Sequence, residues 1–218
     1  MDVFYAYREA FLQGFLITVE LSVIMIVAGT IIGILWGILA TSRFPLLKYA
    51  AVWSYEIIRA VPALVLLFWF HYPFQRILDV SIDPFITSGF VFTILNASYI
   101  ADYVRNGILN VHRGQVEAAE SLGIPGATIL RRITLPEVLR SLLPTFVGQN
   151  VHMMKTIPLA SMISVGDLFR VAQQVNAYTY KTVEVYSVVA IVFILMILPL
   201  TFFGRRLETS KWFLRRTA

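Results

Sequence analysis

EAAESLGIPGATILRRITLP, residues 117–136, is a polar passage just past the middle of a chain that is otherwise strongly apolar. It holds two glutamates, two arginines, a Gly-Ile-Pro-Gly break and a closing Leu-Pro. Across the 218 residues 58% are hydrophobic and 14% charged, against roughly 45–50% and about 25% in soluble domains. Such a composition belongs in a membrane. At about 20 helical residues per crossing, the length holds about four to six spans and leaves little for a soluble domain. The expectation is one all-α polytopic membrane domain over residues 1–218.

Outward from the polar passage, the clearest span is LSVIMIVAGTIIGILWGILA, residues 21–40, which is uncharged and of crossing length. Gly29, Gly33 and Gly37 recur at every fourth position, putting small residues on one helix face where a second helix can pack closely. A second span is expected over about Leu47 to Phe70, a third over about Pro84 to Tyr103, and a fifth over Val185 to Phe203. The fourth, SLLPTFVGQNVHMM, is short before Lys155 and contains Gln149, Asn150 and His152; it crosses only if TIPLASMISVG continues it. The first fifteen residues suggest a short amphipathic helix at the outer interface. Their acidic and basic mixture is unlike a cleaved signal peptide, so the segment is expected to be retained.

Charge arbitrates the span count, because Lys and Arg gather in cytoplasmic loops. With five spans and the N-terminus outside, the inner segments 41–50, about 105–140 and 205–218 hold twelve of the eighteen basic residues. Removing the fourth span would turn the Arg-rich C-terminus outward, so it is kept. The formal net charge of +5 is then a matter of topology, and no basic run interleaved with stacking aromatics points to nucleic acid. The absence of cysteine excludes disulfide and thiolate chemistry.

The polar passage lies in the longest inner loop, about 110–136, between spans three and four. Asn110 can cap a helix running through Gln115 to Leu122, Gly123 can end it, and Thr128 to Leu135 can form a second helix stopped by Pro136. Ala118 and Ala119 keep the first helix thin, and Glu117 and Glu120 share a face. An ordinary solvated connection fits this pattern equally well.

Glu117, Ala118, Ala119, then Gly123, then Ile133, Leu135 and Pro136 stand at the spacing of the EAA loop and resemble that motif of ABC-importer permease subunits. YEIIRAVPALVLLFWF (55–70), NASYIADYVRNGI (96–108) and KTIPLAS (155–161) are similar to the polar amino acid branch, with 55–70 and GILWGILA closest in tone to glutamate/aspartate permeases. The chain departs from the branch at Ala60-Val61 and at Ile157-Pro158. The resemblance implies five spans and a loop, with Glu117, Ala118, Ala119, Glu120, Gly123, Ile133, Leu135 and Pro136, docking into a cytoplasmic ATPase. It also implies a second permease subunit, a homodimer or a similar chain, an extracytoplasmic amino acid binding protein and a bacterial inner-membrane location. Glutamate or aspartate is the favoured cargo, with glutamine or a basic amino acid as the alternative. No GxxxxGK[ST] phosphate loop is present, so ATP and magnesium are expected on the partner and no cofactor on this chain. Driving a two-state equilibrium from 1:99 to 99:1 takes about 5.5 kcal/mol, which calls for a packed helix rather than a solvated loop.

Charges inside spans need partners, since one at the bilayer centre costs at least about 2.5–3.5 kcal/mol. Glu56 and Arg59, three apart, are expected to form a structural ion pair. Asn96, Ser98, Asp102, Arg105, Gln149 and Lys155 are candidates for the substrate path, because a zwitterion needs an acceptor for its ammonium and a cation or donors for its carboxylate. Asp102 and Arg105 can equally be structural, and Arg105 and Lys155 can snorkel to the surfaces. His71, His112 and His152 are dispersed and lack metal-ligand spacing. A membrane-embedded enzyme using Asp102 or Glu56 as acid or base is the reading from a different class.

Overall fold

The computed structural model describes residues 5–111 and 113–208; His112, Asp2 and the basic residues Lys211, Arg215 and Arg216 of the expected inner segment lie outside that range. All regular elements among the described residues are helical. α1 is Arg8–Leu39, α2 Pro45–Ala60, α3 Ala63–His71, α4 Pro73–Leu78 and α5 Pro84–Leu109. α6, Arg113–Ser121, and α7, Gly126–Ile129, precede a π-helical turn at Leu130–Thr134 that runs into α8, Leu135–Met154. A 3-10 segment at Ile157–Ile163, then α9, Leu168–Thr179, and α10, Thr182–Glu208, complete the order.

α1, α5 and α10 are long and apolar enough to cross a membrane. α1 absorbs the interfacial helix expected at the N-terminus: it is one helix of 32 residues, about 48 Å long at 1.5 Å per residue. Gly14, a natural break point, is instead a contact, for a Cβ there would lie 2.9 Å from Val171 on α9. The second span is not one straight helix. Pro62 removes a backbone donor and drives Val61 extended (φ −93°, ψ 129°), and the helices on either side are bent by 99°. α8 has the length of a span, but Glu137, Arg140, Gln149, Asn150 and His152 make it less apolar than the other three. Beyond it the chain tightens into the 3-10 segment rather than continuing the helix, with Pro158 near its start and Ser164 closing it in the left-handed region (φ 72°). Three crossings thus stand on length and composition, and a fourth if the bent pair is one span.

The centre of the molecule is the pairing of α1 with α5, and the glycine face read from the sequence makes it. A Cβ on Gly33 would come within 2.6 Å of Ile100 Cβ and 2.7 Å of the Ala97 carbonyl oxygen; on Gly37 it would lie 2.6 Å from the Ala101 carbonyl. Leu21, Met25, Phe92 and Leu95 of these helices join Leu67 of α3 and Met153, Ile157 and Ile163 in the main core. At the other end of α1, Phe11 packs with Leu168, Val175, Val185 and Val189, which brings the starts of α1 and α10 together. α10 leaves Ile191, Ile194, Leu195 and Leu198 exposed, the pattern of a helix facing lipid.

Candidate coupling loop and translocation path

The polar loop folds as a capped helix followed by a turn. α6 ends where Ile124 N–H donates to Ala119 O at 3.2 Å and Gly123 N–H to Glu120 O at 2.8 Å, the paired bonds of a Schellman motif. Gly123 sits at φ +71° with no atom within 4 Å of where a Cβ would stand. Its requirement is therefore the left-handed backbone and not space. Ala119 is buried while Glu117, Ala118 and Glu120 are exposed, so α6 shows a thin, acidic face outward.

Two sequence expectations need correction here. Asn110 does not cap α6; it closes α5, its N–H bonding Asn106 O at 3.1 Å and its side chain the same carbonyl at 2.8 Å. Pro136 does not stop the helix. The turn before it widens to π, Leu135 N–H reaching back to Leu130 O, which makes room for the proline ring at the start of α8. The loop and α8 are consequently one continuous rod from Gly126 to Met154, with Ile133, Leu135 and Pro136 half-buried along its start. Between α5, α6 and α7 lies a cavity of about 460 Å³ lined by Ile108, Leu109, Val116 and Ile129, with Glu117 and Glu120 on its rim. The α1–α2 connection meets the loop, since Arg43 Nη2 lies 4.0 Å from the Cβ position of Gly126.

The path candidates divide into two groups. Asn96 is buried between α1, α5 and α8; its Nδ2 donates to Asn150 Oδ1 at 2.8 Å and to Met25 O at 3.2 Å, and its Oδ1 has no protein partner. Gln149 Oε1 accepts from Tyr103 O–H at 3.2 Å, and its Nε2 is buried without a partner. Ser98 turns back on its own helix, donating to Leu95 O at 2.6 Å, and is fully buried. The second group joins α2 to α5: Asp102 Oδ2 lies 2.8 Å from Arg59 Nη1, while Glu56, the partner expected from spacing, is 3.8 Å away and nearly half exposed. Asp102 Oδ1 accepts from Asn106 Nδ2 at 3.0 Å, and Arg105 Nη1 donates to Asn106 Oδ1 at 3.4 Å. Lys155 is exposed at the C-terminal cap of α8, apart from both groups.

Sequence reasoning did not place Asn150 and Tyr103 with these groups, nor Tyr99, whose ring centroid lies 5.2 Å from the Arg59 guanidinium. Tyr103 lies seven residues beyond Asn96 and so on the same face of α5, a signal that was available. His71 joins Gln75 and Thr87 in a polar knot between α3, α4 and α5 (3.1 Å and 3.4 Å), and His152 is exposed.

Residues 12–212 match the profile of the binding-protein-dependent transport system inner membrane component. The chain is 30% identical over 198 residues to the glutamine transport system permease protein GlnP of Escherichia coli (strain K12), covering 90% of each chain. It is 27% identical over 197 residues to the arginine transport system permease protein ArtQ of Bacillus subtilis (strain 168), again over 90% of each. A crystal structure of an amino acid ABC transporter with histidines superposes with a TM-score of 0.84 at 29% identity, over 93% of this chain and 96% of that one. The MetNI methionine ABC transporter in an inward-facing form shares the fold, with a TM-score of 0.78 at 22% identity. The chain belongs to the family of inner-membrane components of binding-protein-dependent transport systems.

Proposed function

We propose that this chain is the permease subunit of an ATP-driven importer of polar amino acids, crossing the inner membrane five times with its N-terminus outside and its C-terminus inside. The observation that carries the proposal is the continuity of α7 with α8 as one rod, which the capped α6 joins through the short turn at 122–125. A partner pressing on the exposed face of Glu117, Ala118 and Glu120 would move a rod that reaches Gln149 and Asn150 without an intervening flexible loop. The partner is a cytoplasmic ATPase that binds ATP and magnesium, working on two permease subunits, with an extracytoplasmic binding protein delivering the cargo. The names of the relatives above favour glutamine or a basic amino acid as cargo over the glutamate or aspartate suggested by residues 55–70. Asp102 is engaged by Arg59, an arrangement suited to holding charge rather than to the acid–base chemistry of a membrane enzyme.

Co-purification with ATPase subunits and ATP-driven uptake in vesicles test this reading. Gly123→Arg forces a side chain into the left-handed region, at a cost of about 1 kcal/mol or more, and extends a cation from the docking face. Glu117→Lys inverts the face's charge. Both variants are expected to insert normally and to lose ATPase capture and uptake together. Wild-type capture and uptake in both would reduce the loop to a connector.

A further inference from the structure

Arg59 stands in the last turn of α2, beside the bend at Val61 and Pro62, and its contact with Asp102 ties that bend to α5. The pair is only partly buried: the side chains are 25% and 20% exposed, while the Arg59 Nη1 that faces Asp102 is itself shielded, so a small molecule reaches the charges as the pair parts. Each member also has a second hold. The Arg59 guanidinium lies 5.2 Å from the Tyr99 ring centroid with Glu56 at 3.8 Å, and Asp102 keeps the Asn106 amide on its other oxygen. Parting an ion pair in a membrane is strongly unfavourable when it leaves two bare charges. A zwitterion removes that penalty, because its carboxylate replaces Asp102 at Arg59 and its ammonium replaces Arg59 at Asp102.

We propose that Arg59 and Asp102 form a charge-matched gate for the α-amino-acid end of the cargo, Arg59 taking the carboxylate and Asp102 the ammonium. The amides of Asn96, Asn150 and Gln149 and the Tyr103 hydroxyl remain the neutral part of the path for the side chain of the cargo. This assigns Arg59 a ligand role that its sequence neighbour Glu56 conceals. Opening the pair also releases the end of α2 from α5. The inference rests on the transport reading above.

The test uses the full chain purified in detergent, as wild type, Arg59→Gln and Asp102→Asn. Equilibrium binding is measured for glutamine, for its carboxylate-free form gamma-aminobutyramide and for its amine-free form glutaramic acid. The same is done for arginine, agmatine and guanidinovalerate. Wild type is expected to prefer one of the two amino acids over both its truncated forms by about 10-fold or more, the scale of a lost charge-assisted hydrogen bond. Arg59→Gln should bind the carboxylate-free form as tightly as the amino acid, and Asp102→Asn the amine-free form. Variants that weaken all three forms by one factor, or that keep the wild-type preference, would make the pair merely structural and overturn the gate. So would a wild type that binds none of the six probes while vesicle uptake proceeds. Where a single variant fails to insert, the exchanged chain Arg59→Asp with Asp102→Arg carries the test, and an inserted exchange that no longer prefers the zwitterion overturns the proposal. Absence of ATP-driven uptake for every amino acid tried would instead remove the transport reading itself.

Discussion

Asp167, between the 3-10 segment and α9 and outside the long spanning helices, is a carboxylate with no exposed surface. Its Oδ1 accepts the Arg170 N–H at 2.9 Å and caps α9, while Oδ2 is buried without a protein partner. Burial pushes its pKa up to about 6, against the backbone donors at Arg170 and Phe169, which favour the charged form. Well above that value the group is ionised in both folded and unfolded chains, and folding bears the full expense of burying the charge. Between about 6 and the ordinary 3.8 the folded chain alone takes up the proton, so that expense is relieved as pH falls. The gap between 3.8 and about 6 corresponds to roughly 3 kcal/mol. Asp167→Asn keeps a capping oxygen and is expected to raise the unfolding temperature at neutral pH and to flatten its rise between neutrality and acid. Thermal unfolding in detergent across that range checks this, and an Asn variant with the wild-type pH dependence would show that the buried charge does not set it.

Between α1 and α5 the packing is close enough for a methyl group to decide it. At Gly33 a Cβ would meet a backbone carbonyl and the branch point of Ile100, neither of which can swing aside as a flexible side-chain end can. Gly33→Leu is therefore expected to destabilise by more than the 1–3 kcal/mol typical of overpacking, seen as loss of monodisperse protein after extraction. Gly148→Ala in α8, where no atom lies within 4 Å, should be neutral or gain up to about 1 kcal/mol from helix propensity; thermal unfolding of the pair compares an occupied face with an open one. The glycine face was legible because a period of four is local. So were the uncharged runs that became α1 and α10, and the Gly123 cap. The bend at Pro62 was hidden because counting apolar residues measures length and not direction. The 3-10 segment and the π turn were hidden as well, since each is a compromise between a proline and its packing. Spacing offered Glu56 to Arg59, whereas the closer partner Asp102 arrives from another helix and no local pattern points to it.

At the scale of the whole molecule the proposed crossing by α8 has a direct test, because the structure supplies markers on either side of it. Arg43 beside Gly126 puts the α1–α2 connection on the face of the coupling loop. The cluster of Phe11, Val185 and Val189 puts the start of α10 with the start of α1, at the far end of that helix. α7, the π turn, α8, the 3-10 segment and α9 separate Leu122 in the loop from Tyr180 before α10, and α8 alone among them has the length of a span; both residues are well exposed, at 79% and 87%. The chain contains no cysteine, so Leu122→Cys and Tyr180→Cys each carry a single reporter. A membrane-impermeant thiol reagent applied outside intact cells is expected to label position 180 and spare position 122, and in inverted vesicles the order should reverse. Labelling of both from one side would mean that α8, despite its length, turns back. The Arg-rich end of α10 would then face outward, against the bias that keeps basic loops inside, and the rod from the coupling loop to Gln149 would have no membrane to work across.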